Sequence, residues 1–131
     1  MPTESLYFVA YTSDEFDLTY TGDYPVFVFD APGNTNFVHL LGAEIEITDK
    51  SGTVLVPAQV SIGDNASSYN NYVTAQSVGG ALGDLAKLQI QATTKPIPRD
   101  DTEAHVKVVS AATGIGLTLK AKVTLFGFLG S

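Results

Sequence analysis

The chain lacks both cysteine and tryptophan, and each absence removes a class of chemistry. Without cysteine there are no disulfides and no thiolate sites for zinc or iron–sulfur clusters, and the redox compartment is left undetermined. Without tryptophan, the side chain best suited to stack on a sugar ring is missing. Basic residues are scarce: seven Lys and Arg stand against fourteen Asp and Glu, a net charge of −7. A nucleic-acid partner is therefore not expected, because phosphate binding needs clustered Lys and Arg. No stretch approaches the roughly 20 apolar residues needed to cross a bilayer, so a membrane is not an expected partner. The opening Met1-Pro2-Thr3-Glu4-Ser5 carries no basic region and no apolar run of signal-peptide length. The expectation is a protein made and kept in the cytoplasm unless it leaves within a larger particle.

What the chain does have is the strand period. At 131 residues it has the size of one domain, residues 1–131, and can bury about two-thirds of its unfolded surface without a staple. In Leu117-Thr118-Leu119-Lys120-Ala121-Lys122-Val123-Thr124-Leu125 every odd position is apolar and every even one is Thr or Lys, the pattern of a half-buried strand. Glu44-Ile45-Glu46-Ile47-Thr48 repeats it. Asp49-Lys50-Ser51-Gly52 then supplies turn residues, so that residues 43–57 read as a hairpin. Further strands are expected where Phe16, Leu18 and Tyr20 share a face, at Leu88, Ile90 and Ala92, and at Val106 and Val108. Gly, Pro, Asn and Asp clusters separate them. The best helical candidate, Ala81 to Ala86, is one or two turns at most and is weakened by Gly83. The fold class is all-β, an antiparallel sandwich of about eight to ten short strands. Jelly roll is the first choice and an immunoglobulin-like sandwich the second.

The charges divide unevenly along the chain. Residues 1–65 hold ten acids and one base, Lys50, whereas the remainder holds four acids and six bases. Two readings stay open: basic strands of one copy meeting acidic strands of another, or faces that mix once the strands interleave.

Two segments break the half-buried rule. Leu6-Tyr7-Phe8-Val9-Ala10-Tyr11 and Tyr24-Pro25-Val26-Phe27-Val28-Phe29 are apolar on both faces, although a sandwich strand needs only one buried face. At the C-terminal end Phe126 and Phe128 fall on the face that carries Lys120, Lys122 and Thr124. A bulge at Phe126-Gly127 would send both rings inward. The alternative is burial between subunits, which makes Tyr7, Val9, Tyr11, Phe27, Phe29, Phe126 and Phe128 the expected interface residues.

The residues offer little for catalysis. His39 sits in an apolar stretch and His105 shares a face with Lys107. There is no HxH or HExxH pair for zinc. Carboxylates cluster at Asp14-Glu15-Phe16-Asp17 and at Arg99-Asp100-Asp101-Thr102-Glu103, but neither has the spacing of an EF-hand loop. Gly114-Ile115-Gly116 lacks the third glycine of a dinucleotide loop, and neither a P-loop nor Gly-x-Ser-x-Gly occurs. No enzyme, no cofactor and no metal are expected.

Val60-Ser61-Ile62-Gly63-Asp64-Asn65-Ala66-Ser67-Ser68-Tyr69-Asn70-Asn71-Tyr72-Val73 resembles a strand–loop–strand passage in small structural proteins of tailed bacteriophages. Val106 to Thr113, leading to Leu119 to Phe128, resembles their closing pair of strands. The resemblance covers mainly residues 60–128, and the acidic N-terminal half departs from it. It implies a jelly-roll or β-sandwich subunit of the virion of the capsid cement or decoration type, commonly a homotrimer, with the major capsid protein as partner and no catalytic residues. The competing reading is a receptor- or glycan-binding module such as a tail-fibre tip or lectin-like domain. Tyr7, Tyr11, Tyr20, Tyr24, Tyr69 and Tyr72 would favour it if they clustered on loops. A small hydrolase on the same scaffold is the third.

Overall fold

The computed structural model describes residues 7–130; Leu6 and the Met1–Ser5 stretch lie outside the described residues. Among the described residues ten strands run in order: β1 (Tyr7–Thr12), β2 (Phe16–Asp17), β3 (Gly22–Val28), β4 (Phe37–Val56), β5 (Gln59–Gly63), β6 (Val73–Ser77), β7 (Leu85–Leu88), β8 (Ile97–Pro98), β9 (Glu103–Ser110) and β10 (Thr113–Gly130). All ladders are antiparallel. One sheet, called A here, runs β1-β10-β4-β7, with β2 beside β10 and β8 beside β4; the other, B, runs β3-β9-β5-β6.

This order settles the topology. Setting aside the two-residue β2 and β8, the first strand pairs with the last, β1 with β10. The second pairs with the second-last, β3 with β9, and the nesting continues through β4 with β7 to β5 with β6. Successive nested pairs alternate between the two sheets, which is a ribbon rolled into a jelly roll. The immunoglobulin-like alternative is thereby set aside. The ribbon crosses from sheet A to sheet B at Pro57-Ala58 and Ala111-Ala112. Ala58 and Ala112 are buried there, small enough for the backbones to turn the corner closely. Ala112 N–H donates to the Leu18 carbonyl and Val78 N–H to the Ala58 carbonyl.

The alternation in the C-terminal strand appears as expected. Leu119, Ala121, Val123 and Leu125 have no exposed surface, and they meet Ile45, Ile47, Val60, Ile62, Val106 and Val108 in one apolar core. Each such aliphatic side chain contributes about 1.5–3 kcal/mol by leaving water. Phe16 and Leu18 are buried, but Tyr20 beyond them is exposed. Residues 81–86 form a turn and the start of β7, and contain no helix.

Residues 43–57 do not form a hairpin. Residues 43–56 lie within β4, a single strand of 20 residues, because β10 is long enough to partner both halves. Ala43 to Ile47 face Leu125 to Ala121, and Thr53 to Val56 face Ile115 to Thr113. The turn residues produce a register shift instead of a reversal. Gly52, at φ +79, sits where a Cβ would run into the Ile115 and Gly116 carbonyls. A bend of this kind in a paired strand admits only glycine.

The strands also interleave the charges. Glu46 of β4 faces Lys122 of β10, Asp49 faces Lys120, and Glu44 faces Lys87 of β7. The acidic first half and the basic second half thus meet on the outer face of sheet A within one chain. Such cross-strand pairs are individually modest contributors.

Candidate functional site

The expected interface residues separate into two groups on opposite sides of sheet A. Tyr11 of β1 points inward, half-buried, against Phe27 at 5.0 Å and Phe29 at 5.4 Å between ring centroids; Phe27 and Phe29 stack at 4.3 Å. The Arg99 guanidinium lies 5.4 Å from the Phe29 centroid. Burial pushes the Tyr11 hydroxyl up from its ordinary titration range, with the Arg99 charge opposing. The single chain therefore already covers Phe27 and Phe29, which are 7 % and 9 % exposed. The mechanism is a bulge in β3: the register with β9 shifts between Pro25 and Phe27, so Val26 and Phe27 are both buried. Two-faced apolarity in this segment is what a bulged strand requires. Val9 is half-buried, whereas Tyr7 remains 65 % exposed.

On the opposite face lie Phe126 and Phe128. A register shift does occur here, but the extra residue is Leu41 of β4: Phe126 faces Gly42 and Gly127 faces Leu40. Strand β10 keeps its alternation, so Gly127 stays on the core side and both rings stay on the outer face. Phe126 settles over Gly42, where a Cβ would approach its Cζ to 2.6 Å. Phe128 stacks on His39 at 4.8 Å and 7°. Phe8 stands opposite Phe128 and is 74 % exposed, with Leu41 at 56 % nearby. The result is an aromatic patch, Phe8, Phe126, Phe128, His39 and Leu41, at one end of a face otherwise lined with charge. Sequence reasoning missed Phe8, His39 and Leu41. Their placement follows from strand register, and the only signal for it was Phe8 in a segment apolar on both sides.

The loop from Gly63 to Tyr72 is held by its own amides. Asn65 Oδ1 accepts from the backbone N–H of Asn70 at 2.9 Å and of Asn71 at 3.3 Å, and Asn65 Nδ2 donates to Asn70 Oδ1 at 2.8 Å. Asn71 Oδ1 accepts from Asp64 N–H, and its Nδ2 donates back to the Asp64 carboxylate. Gly63 is glycine for space: a Cβ there would strike the side chains of Asn71 and Asn65. Ser67 and Tyr69 take positive φ values of 74° and 42°. Tyr69 stacks on His105 at 4.5 Å, while His105 Nδ1 lies 2.8 Å from the Asp23 carboxylate and Lys107 Nζ donates to the Ser67 carbonyl at 2.7 Å. His105 is thus a structural tie between loop and sheet, with Asp23 its side-chain hydrogen-bond partner among the described residues.

Two open clefts flank this loop. One, about 410 Å³, is lined by Asp30, Asp64, Tyr69, Asp101 and Glu103; the other, about 460 Å³, by Asp64, Asn71, Tyr72, Gln91, Thr94 and Lys95. Among the described residues no group of three or more His, Asp or Glu side chains is close enough to hold a metal ion. Three of the six carboxylates in the two clusters accept hydrogen bonds. Asp17 accepts from the N–H and hydroxyl of Thr19, Glu15 from the Thr48 hydroxyl, and Asp100 from Gly33 N–H. Tyr72 is 2 % exposed. Desolvation first, and then the nearby Asp64 carboxylate, push its hydroxyl far above the ordinary tyrosine value.

No family model and no curated protein matches the chain. Two solved structures share its fold. One is a chain of the capsid asymmetric unit of cyanophage Pam1, with a TM-score of 0.63 and 15% identity, over 98% of this chain and 90% of that one. The other is a chain of the acidic stable capsid structure of Helicobacter pylori bacteriophage KHP30, with a TM-score of 0.61 and 16% identity, over 95% of this chain and 90% of that one.

Proposed function

We propose that the chain is a non-catalytic structural subunit of a bacteriophage virion, a decoration or cement protein that stabilises the capsid shell through contacts with copies of itself and with the major capsid protein. The observation that carries this reading is the near end-to-end match of the jelly roll to a chain within a capsid asymmetric unit, 98% of this chain on 90% of that one. Jelly rolls serve lectins as well as capsids, so the fold needs support from the surface. The support is the aromatic patch of Phe8, Phe126 and Phe128 beside the edge residue Tyr7. Exposed apolar clusters of this kind mark association surfaces. Within the expected interface set, Tyr7, Phe126 and Phe128 would make the contacts in this reading, while Val9, Tyr11, Phe27 and Phe29 pack on or in the core beneath them.

Function in this reading is area buried over many copies, with no turnover. The trimer and the major capsid partner are its finer parts. A trimer requires each copy to present two different patches that meet head to tail, and the aromatic patch would be one of them. The glycan-binding alternative has less to rest on. Tyr7, Tyr11 and Tyr24 lie in strands and Tyr72 is buried, leaving only Tyr20 and Tyr69 on loops. Light scattering gives the stoichiometry, and incubation with purified capsids followed by sedimentation tests the partner. Saturable co-sedimentation supports the reading; a protein that stays in the supernatant while binding a glycan surface would replace it.

A further inference from the structure

The four outer strands of the two sheets are not equally protected. Sheet edges expose unpaired N–H and C=O groups, and natural sheets blunt them with proline, charge, bulges, shortness or a covering segment. Strand β3 carries Pro25, Asp23 and the Val26 bulge. Strand β6 is covered by the segment that follows β7: Gln76 donates to the Gln89 carbonyl and accepts from Gln89 N–H, and Gln91 N–H donates to the Tyr72 carbonyl. Strand β7 is four residues long and contains Lys87. Among the described residues, strand β1, Tyr-Phe-Val-Ala-Tyr-Thr, has none of these devices. It is uncharged, contains no proline, and pairs with β10 without a register shift. Among the described residues no strand lies on its far side.

The hydrogen-bond phase shows which groups are free. Ser13 N–H donates to the Val123 carbonyl at 2.8 Å, and Ser13 Oγ accepts from Val123 N–H at 3.0 Å. Ser13 therefore faces β10, and by alternation so do the backbone groups of Tyr11, Val9 and Tyr7. The N–H and C=O groups of Phe8, Ala10 and Thr12 point to the open edge. The two exposed large apolar residues of the strand, Phe8 at 74 % and Tyr7 at 65 %, lie on opposite faces, so an added strand would cover both.

We propose that β1 pairs with β1 of a second copy of this chain, antiparallel about a two-fold axis at Ala10. The strand is self-complementary in the ways that matter. With Ala10 opposite Ala10 and Phe8 opposite Thr12, the outward groups form roughly six hydrogen bonds. No charge enters the paired stretch Tyr7–Thr12, and the nearest acids among the described residues, Asp14 and Glu15, lie beyond Thr12. Tyr7 comes to lie beside Ser13 of the other copy, and Val9 beside Tyr11. Each Phe8 lies on the outer face next to Thr12 of the other copy, extending the aromatic patch across the axis. A two-fold contact uses the same patch on both copies, so it holds whether or not each copy also belongs to a ring, and it does not depend on a capsid.

The absence of cysteine makes the test direct. In the proposed register the two Ala10 Cα atoms lie about 5.5 Å apart, inside the range a disulfide spans. Ala10→Cys is expected to give a covalent dimer under mild oxidation, while Thr74→Cys, exposed on β6 of the other sheet, remains monomeric on a denaturing gel. Ala10→Pro removes an N–H that faces the open edge and no bond to β10. It is expected to weaken association at least tenfold in sedimentation velocity, with the thermal transition retained. The cross-linking arm stands even if the proline variant fails to fold. The proposal is overturned if the native chain is monomeric at tens of micromolar, if cross-linking through residue 10 does not exceed that through residue 74, or if folded Ala10→Pro associates as the native chain does. Pairing of residue 10 with a different protein, and not with itself, overturns it as well.

Discussion

The ring of Phe126 lies over Gly42 on the neighbouring strand, so closely that a Cβ on Gly42 would approach the ring to 2.6 Å. This contact keeps a large aromatic side chain on the outer face of a charged sheet. It predicts that Gly42→Ala costs about 1–2 kcal/mol by forcing the ring outward. In a Phe126→Ala background the same change should cost little, because the atoms it strikes are gone. A double-mutant cycle by urea denaturation reads the difference as coupling between the two sites. Equal costs in both backgrounds would mean that the ring does not occupy that place.

Asn65 ties three groups of its loop with one side chain. Asn65→Ala is expected to lose about 0.5–1.5 kcal/mol, the net worth of hydrogen bonds whose exposed partners water can take over. The loss should appear in hydrogen exchange as faster amides at Asn70 and Asn71, while Val106 and Val108 in the core strand keep their relative protection.

Tyr72 sets a dependence on alkaline pH. Its hydroxyl is raised above the ordinary value of 10.0 by burial and by Asp64. Above pH 10 the unfolded chain releases a proton that the folded chain retains, so the unfolded state binds fewer protons and stability falls as pH rises. Below pH 10 the contribution is fully present. Tyr72→Phe should flatten that fall. At pH 7 it should leave stability unchanged or higher by up to about 1 kcal/mol, since among the described residues the buried hydroxyl meets no hydrogen-bond geometry, the Asp64 carboxylate being near but not well placed. Chemical denaturation at pH 7 and pH 11 tests both statements.

Phe8 and Phe128 stand opposite each other on the outer face. Replacing both with serine removes apolar surface that is wholly or partly exposed, so the melting temperature should change little. Binding to capsids should weaken at least tenfold. A large loss of stability with unchanged binding would instead assign these rings to folding.

The layout of strands was legible where one face is buried and the other wet, as in Leu117 to Leu125, because alternation reports burial directly. It failed at Asp49 to Gly52, where turn chemistry served a bend inside a long strand; the length of β10 decided that, and no local pattern reveals it. The apolar faces of Tyr24 to Phe29 and of Phe126 and Phe128 were read as one phenomenon and proved to be two. In the first a bulge at Val26 turns the rings inward. In the second the bulge falls on Leu41 of the partner strand, and the rings stay out. Both outcomes depend on cross-strand register, which the sequence encodes only through the packing of the whole sandwich. The exposed Phe8 and the unguarded edge of β1 became visible only with the strand order.

The most direct measurement is co-sedimentation of the purified chain with capsids assembled from the major capsid protein proposed as its partner. The account predicts saturable binding in fixed stoichiometry, with the decorated shells withstanding heat or denaturant better than bare ones. A chain that remains in the supernatant at saturating concentration, and leaves shell stability unchanged, would contradict it.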